Sequence, residues 1–509
     1  MKKTIAAAIS LILALGALPA GAVFAREGDS GYDGGISSGY SSGKIVMDYQ
    51  ELCFITGEPI VLKGTLQIRK QQKQDAITST YTYSLKNADK SATLTRVLNF
   101  STSLATKDNG QIIEETSYSR APTETLRIGS TSYTLKTSNF TRSSLVDPKP
   151  AINYFAGNLW GKKVYQIGTT ANGGTVTVET TGDFYGYEQY WGSAEVQSLY
   201  YTVESEKKGG DEPDQWGGTA RVTLSSTVTN QLKYFRNEPD QISFEGGYVQ
   251  SQNNNSILEY TSSMPEFDAG GVSTDRILTK SGSLQLETFP VQKRLPAVDL
   301  SNIRGHWAEE DLKLMYGLEI FQGDGRNLKP DQYITKAEFA AAIVQAAKEV
   351  PPDPALTTKV APNASRRAAS QPVVSPFDDV SIENTYFDQI NSAYNRGLLT
   401  GKGSNLFGPN DSITVAEAVT IFIRAVGLES LAPSPLAVTN FRDNDLIPAY
   451  ARNAAYVAAK IGLVQGDDKG YLRPAEKLTK ARAAAMLKRF IVYLQDGIKQ
   501  DYRDRLVNY

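Results

Sequence analysis

Across residues 296–492 apolar side chains recur at helical spacing, and the same arrangement comes round three times. In the first copy Leu312 and Met315 mark one amphipathic stretch, and Phe339, Ala340, Ile343 and Val344 mark a second. The second copy has Ile390 and Ala393, then Ala418, Ile421, Phe422 and Ala425. The third has Ala455 and Ala458, then Ala484, Met486, Leu487 and Phe490. Residues three and four apart share one helix face, so each copy predicts two helices that bury their apolar sides. Residues 45–292 follow another rule. Thr80-Tyr81-Thr82-Tyr83-Ser84-Leu85, Thr175-Val176-Thr177-Val178 and Arg221-Val222-Thr223-Leu224 alternate with period two, as strands with one buried face do. Asn109-Gly110, Asn172-Gly173-Gly174, Gly217-Gly218, Gly246-Gly247 and Ser281-Gly282 read as turns between such strands. With no amphipathic helix among them, these segments predict an antiparallel all-β domain of one or two units. It is a sandwich or a large twisted sheet, and an all-α region follows it.

Each helical copy is punctuated in the same way. Thr335, Thr414 and Thr479 open the second helix, and Pro330, Pro409 and Pro474 each lie five residues earlier. A Thr before an apolar run, with Glu three residues on, is a capping box: the hydroxyl accepts from an orphan backbone N–H and the Glu reaches back. Glu338 and Glu417 complete the box in the first two copies, whereas Arg482 stands in the third and leaves only its Thr half. Gly323, Gly401 and Gly466 each fall eleven residues after Leu312, Ile390 and Ala455, and read as helix C-termini that need positive φ. A helical hairpin repeated in tandem buries its faces against its neighbours, so the copies are expected to form one body.

These residues resemble the S-layer homology module of bacterial cell-surface proteins. The resemblance covers three repeats, at 296–349, 377–428 and 441–492, with a Pro/Ala/Ser-rich insertion at 350–376 and a tail at 493–509. The family's opening Phe-x-Asp stands as Phe377-Asp378-Asp379 and Phe441-Arg442-Asp443, and is degraded to Ala297-Val298-Asp299. Its His-Trp-Ala is intact at 306–308. Its Ile-Thr-Arg-Ala-Glu signature becomes Ile334-Thr335-Lys336-Ala337-Glu338, Ile413-Thr414-Val415-Ala416-Glu417 and Leu478-Thr479-Lys480-Ala481-Arg482. The resemblance implies a pseudo-threefold bundle whose inter-repeat grooves bind the secondary cell-wall polysaccharide, often through a pyruvylated sugar, on a Gram-positive-type surface. Other S-layer subunits are further implied partners.

By the same resemblance, the basic signature residue contacts the acidic sugar. Lys336 and Lys480 can supply a point charge without the bidentate fork of Arg, and Val415 supplies nothing. Two grooves are therefore expected to work and one to be weakened or lost. Thr335, Glu338, Thr479, Trp307, Gly323, Gly466, Asp299 and Asp443 complete the candidate polysaccharide contacts. Each has a plainer reading: solvated lysines at a helix start, capping Thr and Glu, turn Asp, core Trp, and Gly serving the backbone.

Composition narrows the function. Residues 1–25 read as a secretory signal peptide, with Lys2 and Lys3 before the apolar Ile5–Leu18 run and Val23-Phe24-Ala25 as the cleavage site. Residues 26–44 are Gly/Ser-rich and read as flexible. Without Lys2 and Lys3 the 53 basic residues become 51 against 55 acidic, a net charge of −4. No long basic run exists, which argues against nucleic acid as a partner. No segment beyond the signal reaches the roughly 20 apolar residues that span a bilayer. The single Cys53 excludes an intrachain disulfide, and its place between Leu52 and Phe54 reads as buried strand. The single histidine, His306, excludes a Ser-His-Asp triad or multi-His zinc site in the β domain, and no metal or cofactor site is suggested. Carboxylate chemistry survives, with Glu114-Glu115 as one candidate pair. The cluster Phe184, Tyr185, Tyr187, Tyr190, Trp191, Tyr200 and Tyr201 is either a sugar platform or cross-strand packing. The leading expectation is a non-enzymatic, exported S-layer or S-layer-associated protein, anchored by its repeats, with the β domain displayed outward. The alternatives are a wall-anchored carbohydrate-active enzyme or carbohydrate-binding protein, and an envelope protein whose repeats bind protein.

Overall fold

The computed structural model describes residues 34–39, 46–73, 75–169, 173–208, 214–235, 247–288, 290–323, 325–349, 374–433 and 437–507. The expected signal at 1–25, most of the 350–376 insertion, and the turn residues Asn172 and Gly246 lie outside them.

The N-terminal sheet opens with β1 (Ile36–Ser37), β2 (Val46–Cys53), β3 (Ile60–Lys73), β4 (Ala76–Lys86) and β5 (Ala92–Thr106). It continues through β6 (Ile112–Ile128), β7 (Thr131–Lys149), β8 (Ile152–Ile167), β9 (Thr175–Gln189) and β10 (Gly192–Lys207). Then come β11 (Asp214–Phe235), β12 (Gly247–Phe267) and β13 (Ser273–Glu287), and β14 (Val291–Arg294) returns to pair with β12. The strands pair antiparallel in chain order from β1 to β13, one unbroken meander. Its ends come together. Asn254 of β12 donates to the Ser38 carbonyl at 3.1 Å, and Lys280 of β13 meets Glu58 in the β2–β3 turn at 2.9 Å. The sheet is therefore nearly closed and barrel-like, which shields edges that would otherwise template pairing with other chains.

Two local expectations fail here for non-local reasons. Gly217-Gly218 and Ser281-Gly282 are not turns but lie inside β11 and β13. A Cβ at Gly218 would sit 2.3 Å from Met264 Sδ, and one at Gly282 would sit 2.8 Å from the Tyr260 ring, so both glycines make room for a side chain of β12. Within the segment expected to be flexible, Ile36 and Ser37 are strand, paired with Gln50 and Tyr49.

Alternation places the core inside the sheet. In β4, Ile77, Ser79, Tyr81, Tyr83 and Leu85 are buried while Thr78, Thr82, Ser84 and Lys86 face water. Phe100 packs against Tyr81, Tyr118 and Phe140 with ring centroids 5.1–5.6 Å apart. A charged network is buried among these side chains. Arg96 on β5 bonds Glu51 at 2.7 and 3.0 Å and Glu124 at 2.8 Å, and Glu124 also accepts from Lys163 at 2.8 Å and Tyr165 at 3.0 Å. Burial pushes the Glu124 carboxyl up, but Arg96 and Lys163 outweigh it and hold it far below the usual carboxylate range. Cys53 lines the cavity of about 70 Å³ beside this network, and burial raises its thiol to about 12.

The C-terminal region contains α1 (Glu309–Gly317), α2 (Lys336–Ala347), α3 (Phe387–Asn395), α4 (Val415–Val426), α5 (Ala449–Lys460) and α6 (Lys480–Val492). A π-turn at Tyr493–Gly497 leads into α7 (Ile498–Val507). The segments before the second helices bond to one another in a ring: Ile334 N to Leu478 O, Leu478 N to Ile413 O, and Ile413 N to Ile334 O. Around that ring each second helix is stapled to a neighbour's turn proline, with Ala337, Ala416 and Ala481 donating to the carbonyls of Pro409, Pro474 and Pro330. Phe339, Phe422 and Phe490 meet inside, with centroids 5.8 and 5.0 Å apart along the series. The first helices do not end at the glycines expected. Glu319, Gly397 and Gly462 take the positive φ after α1, α3 and α5, at 58, 72 and 71°.

The far ends of the second helices rest on the β domain. A helix leaves its last carbonyls without intrahelical partners. Here Trp191 Nε1 donates to Ala346 O at 2.8 Å, Ala151 N to Ala425 O at 2.8 Å, and Tyr154 Oη to Val426 O at 2.9 Å. Gln189 Nε2 serves Leu494 O beyond α6. Ile152, Tyr154, Tyr187 and Trp191 belong to the same apolar core as the repeat helices, and Tyr502 of α7 packs on Tyr187 with centroids 5.0 Å apart. The segment 493–507, expected as a tail, is thus part of the junction between the two regions.

Candidate inter-repeat grooves

The start of each second helix builds the candidate site. Thr335 accepts from Glu338 N at 3.2 Å while Glu338 Oε2 accepts from Thr335 N at 2.9 Å. Thr414 and Glu417 repeat this at 3.3 and 2.9 Å. Thr479 accepts from Arg482 N at 3.2 Å without a return bond from an acid. The Thr oxygens are thus committed to the helix ends. The second oxygen of each capping Glu faces the neighbouring repeat. Glu417 Oε1 lies 2.6 Å from Lys336 Nζ, and Glu338 Oε1 lies 2.9 Å from Lys480 Nζ. Burial pushes the Glu417 carboxyl up, yet its bonds from Lys336 and Thr414 hold it below the usual range. At the third junction the matching positions are Val415 and Arg482, so no such pair forms, and Arg482 turns to Glu476 at 2.6 Å.

The two junctions that carry the lysines are unequal. The first encloses about 390 Å³, lined by Lys336, Gly401, Lys402, Glu417, Arg424 and Tyr450 among others. Burial and Glu417 push the Tyr450 phenol up. The second encloses about 40 Å³ beside Lys480, Glu338 and Tyr386. A volume of 300–1,000 Å³ suits a small ligand, so only the first is of that size.

The remaining candidates fall in different places. Trp307 is 65% exposed, not packed in the core. It precedes buried Ala308 as Tyr386 precedes Phe387 and Tyr450 precedes Ala451, so an aromatic side chain stands at each first-helix start. Asp443 is buried, its oxygens taken by Leu472 N at 2.9 Å and Arg473 N at 2.7 Å. Asp379 does the same for Phe407 and Gly408, whereas Asp299 accepts from Ser301 N at 3.0 Å. Gly323 has φ 98°, and Gly466 lies against the Gly470 backbone. His306 Nδ1 accepts from Ala308 N at 3.2 Å. In the β domain, Tyr187 and Trp191 are buried against the helices, and Glu114 accepts from Ser144 Oγ at 2.7 Å.

Sequence motifs missed Arg424, Lys402 and Tyr450. The last could have been found by aligning the first helices on their buried residue. Arg424 lies seven residues after Glu417 on the same helix face, a spacing that points to the groove only once the capping Glu is known to face it.

The S-layer homology domain model matches residues 299–340, 376–419 and 440–484. The chain thus carries three S-layer homology domains, a class of module that implies anchoring at the cell surface and generally binds cell-wall polysaccharide. It is 28% identical over 208 residues to "Exoglucanase XynX" of Acetivibrio thermocellus, covering 40% of this chain and 17% of that one. It is 25% identical over 206 residues to "Surface-layer 125 kDa protein" of Lysinibacillus sphaericus, covering 40% and 15%. It is 34% identical over 130 residues to "S-layer protein" of Bacillus licheniformis, covering 23% and 13%. The chain spans less than a fifth of the length of these curated relatives. Among the described residues no helix is long and apolar enough to cross a membrane.

Proposed function

We propose that the three repeats form a pseudo-threefold anchor on the secondary polysaccharide of a Gram-positive-type cell wall, and that the β domain is a non-enzymatic unit mounted on it. The observation that carries this is the ring joining Ile334, Leu478 and Ile413, which brings three neighbouring repeats together and leaves lined grooves between them. The groove residues at Lys336 and Glu417 lie at the N-terminal ends of helices whose C-terminal carbonyls touch the β domain. A twelve-residue helix is about 18 Å long, so the capped helix starts, where the grooves open, and the β domain occupy opposite poles of the repeats. With the grooves on the wall, the β domain points outward, as a lattice subunit or S-layer-associated protein would need. The excess of cations in the larger groove suits an acidic, pyruvylated polymer.

Full-length chain should pellet with native wall sacculi and stay in solution with sacculi stripped of secondary polymer by acid. Equal pelleting with both preparations would overturn polysaccharide anchoring. The full chain is the right reagent, because cutting near residue 295 would uncover the buried junction around Trp191 and Tyr154. The enzymatic alternative draws on relatives such as the exoglucanase, whose similarity lies over the repeat region.

A further inference from the structure

We propose that Arg424, rather than the signature lysine, is the residue that grips an anionic group of the wall glycan in the larger groove. This rests on the anchoring reading above and names the contact that makes it selective. Three cations line that groove. Lys336 is paired with Glu417 at 2.6 Å and Lys402 with Asp411 at 2.8 Å. Arg424 is half-buried on α4, and among the described residues its guanidinium has neither a hydrogen bond nor an ion pair. A partly desolvated guanidinium without a partner is unfavourable, and its planar fork fits two oxygens of a carboxylate or phosphate.

The position also differs between the two junctions that carry a lysine. The residue ten beyond the capping Thr is Arg424 in the second repeat but Gln345 in the first, the repeat that supplies Glu338 to the 40 Å³ groove. Arg424 lies about 10 Å along α4 from Glu417, two helical turns beyond that capping residue. The anion would therefore bind deeper in the groove than Lys336, while the exposed Tyr450 face lies open at its border.

The test uses full-length protein and three probes: native sacculi, acid-stripped sacculi, and native sacculi whose carboxylates are converted to neutral amides with carbodiimide and methylamine. Arg424→Gln should bind native sacculi at least tenfold more weakly than the unaltered chain. Arg424→Lys should recover part of the loss. The double variant Lys336→Met, Glu417→Gln keeps the groove's net charge and an N3 side chain able to cap, and should lose less affinity than Arg424→Gln does. Thermal midpoints confirm that each variant is folded. If amidation removes the Arg424-dependent binding, the anion is a carboxylate; if it does not, the anion is a phosphate. Wild-type affinity in Arg424→Gln, or an equal loss in the double variant, would overturn the assignment while leaving anchoring intact. Failure of the unaltered chain to distinguish native from stripped sacculi would overturn both.

Discussion

Replacing Trp191 tests whether the β domain and the repeats share one core. Its side chain is fully buried, meets Tyr190 edge-on with centroids 5.1 Å apart, and donates to the Ala346 carbonyl at 2.8 Å. Truncating a buried Trp to Ala costs about 3–5 kcal/mol through lost transfer energy and the cavity left behind. The Ala346 carbonyl, an orphan of the last turn of α2, loses its partner at the same time, a penalty of about 1–3 kcal/mol for a buried acceptor. The two overlap, since water can enter the cavity and reach the carbonyl, so Trp191→Ala should destabilise by about 4–5 kcal/mol. Trp191→Phe keeps most of the ring and isolates the hydrogen bond, so about 1–2 kcal/mol is expected. Urea unfolding followed at 222 nm reads mainly the repeat helices. If the junction is shared, substitution on the β domain must lower that helical transition. A shift below about 1 kcal/mol for Trp191→Ala at 222 nm would refute the shared core.

Thr414→Ala should lower repeat stability by about 1–2 kcal/mol and Thr479→Ala by less, because only the first removes a complete capping box; equal losses in thermal unfolding would contradict this. The Glu124 carboxyl is held below its ordinary 4.5 in the folded state, so its contribution is full above about pH 5 and fades as pH falls through the folded value. Glu124→Gln should therefore be less stable at pH 7 but lose less stability between pH 5 and pH 3; parallel urea-midpoint curves for the two proteins would exclude the mechanism.

The repeats were legible because their signals are local: a Thr cap, a Glu three residues on, and an apolar stripe act within one helix. What failed depends on distant partners. Gly218 and Gly282 carry the same dipeptide signal as a turn, but Met264 and Tyr260 on the neighbouring strand are what require them. Alternation in Phe184–Trp191 reads identically whether the outer face meets water, sugar or helices, and nothing within those residues announces α7 or the end of α2. The candidate lysines were visible, yet their partners are 81 and 142 residues away, so their neutralisation by Glu417 and Glu338 was not. Arg424 lies outside the Thr-x-Ala-Glu signature; what singles it out is the space in front of it.

The three helix ends resting on the β domain also have a mechanical consequence. Shear on a cell surface pulls on whatever projects from it. Tension on the sheet reaches the repeats through Ala346, through Ala425 with Val426, and through Leu494 in parallel, beside the covalent connection near residue 295. Each contact passes its share along a helix axis toward the cap and the groove at the other end. The pull is thus divided among three helix ends rather than carried by the single covalent connection alone.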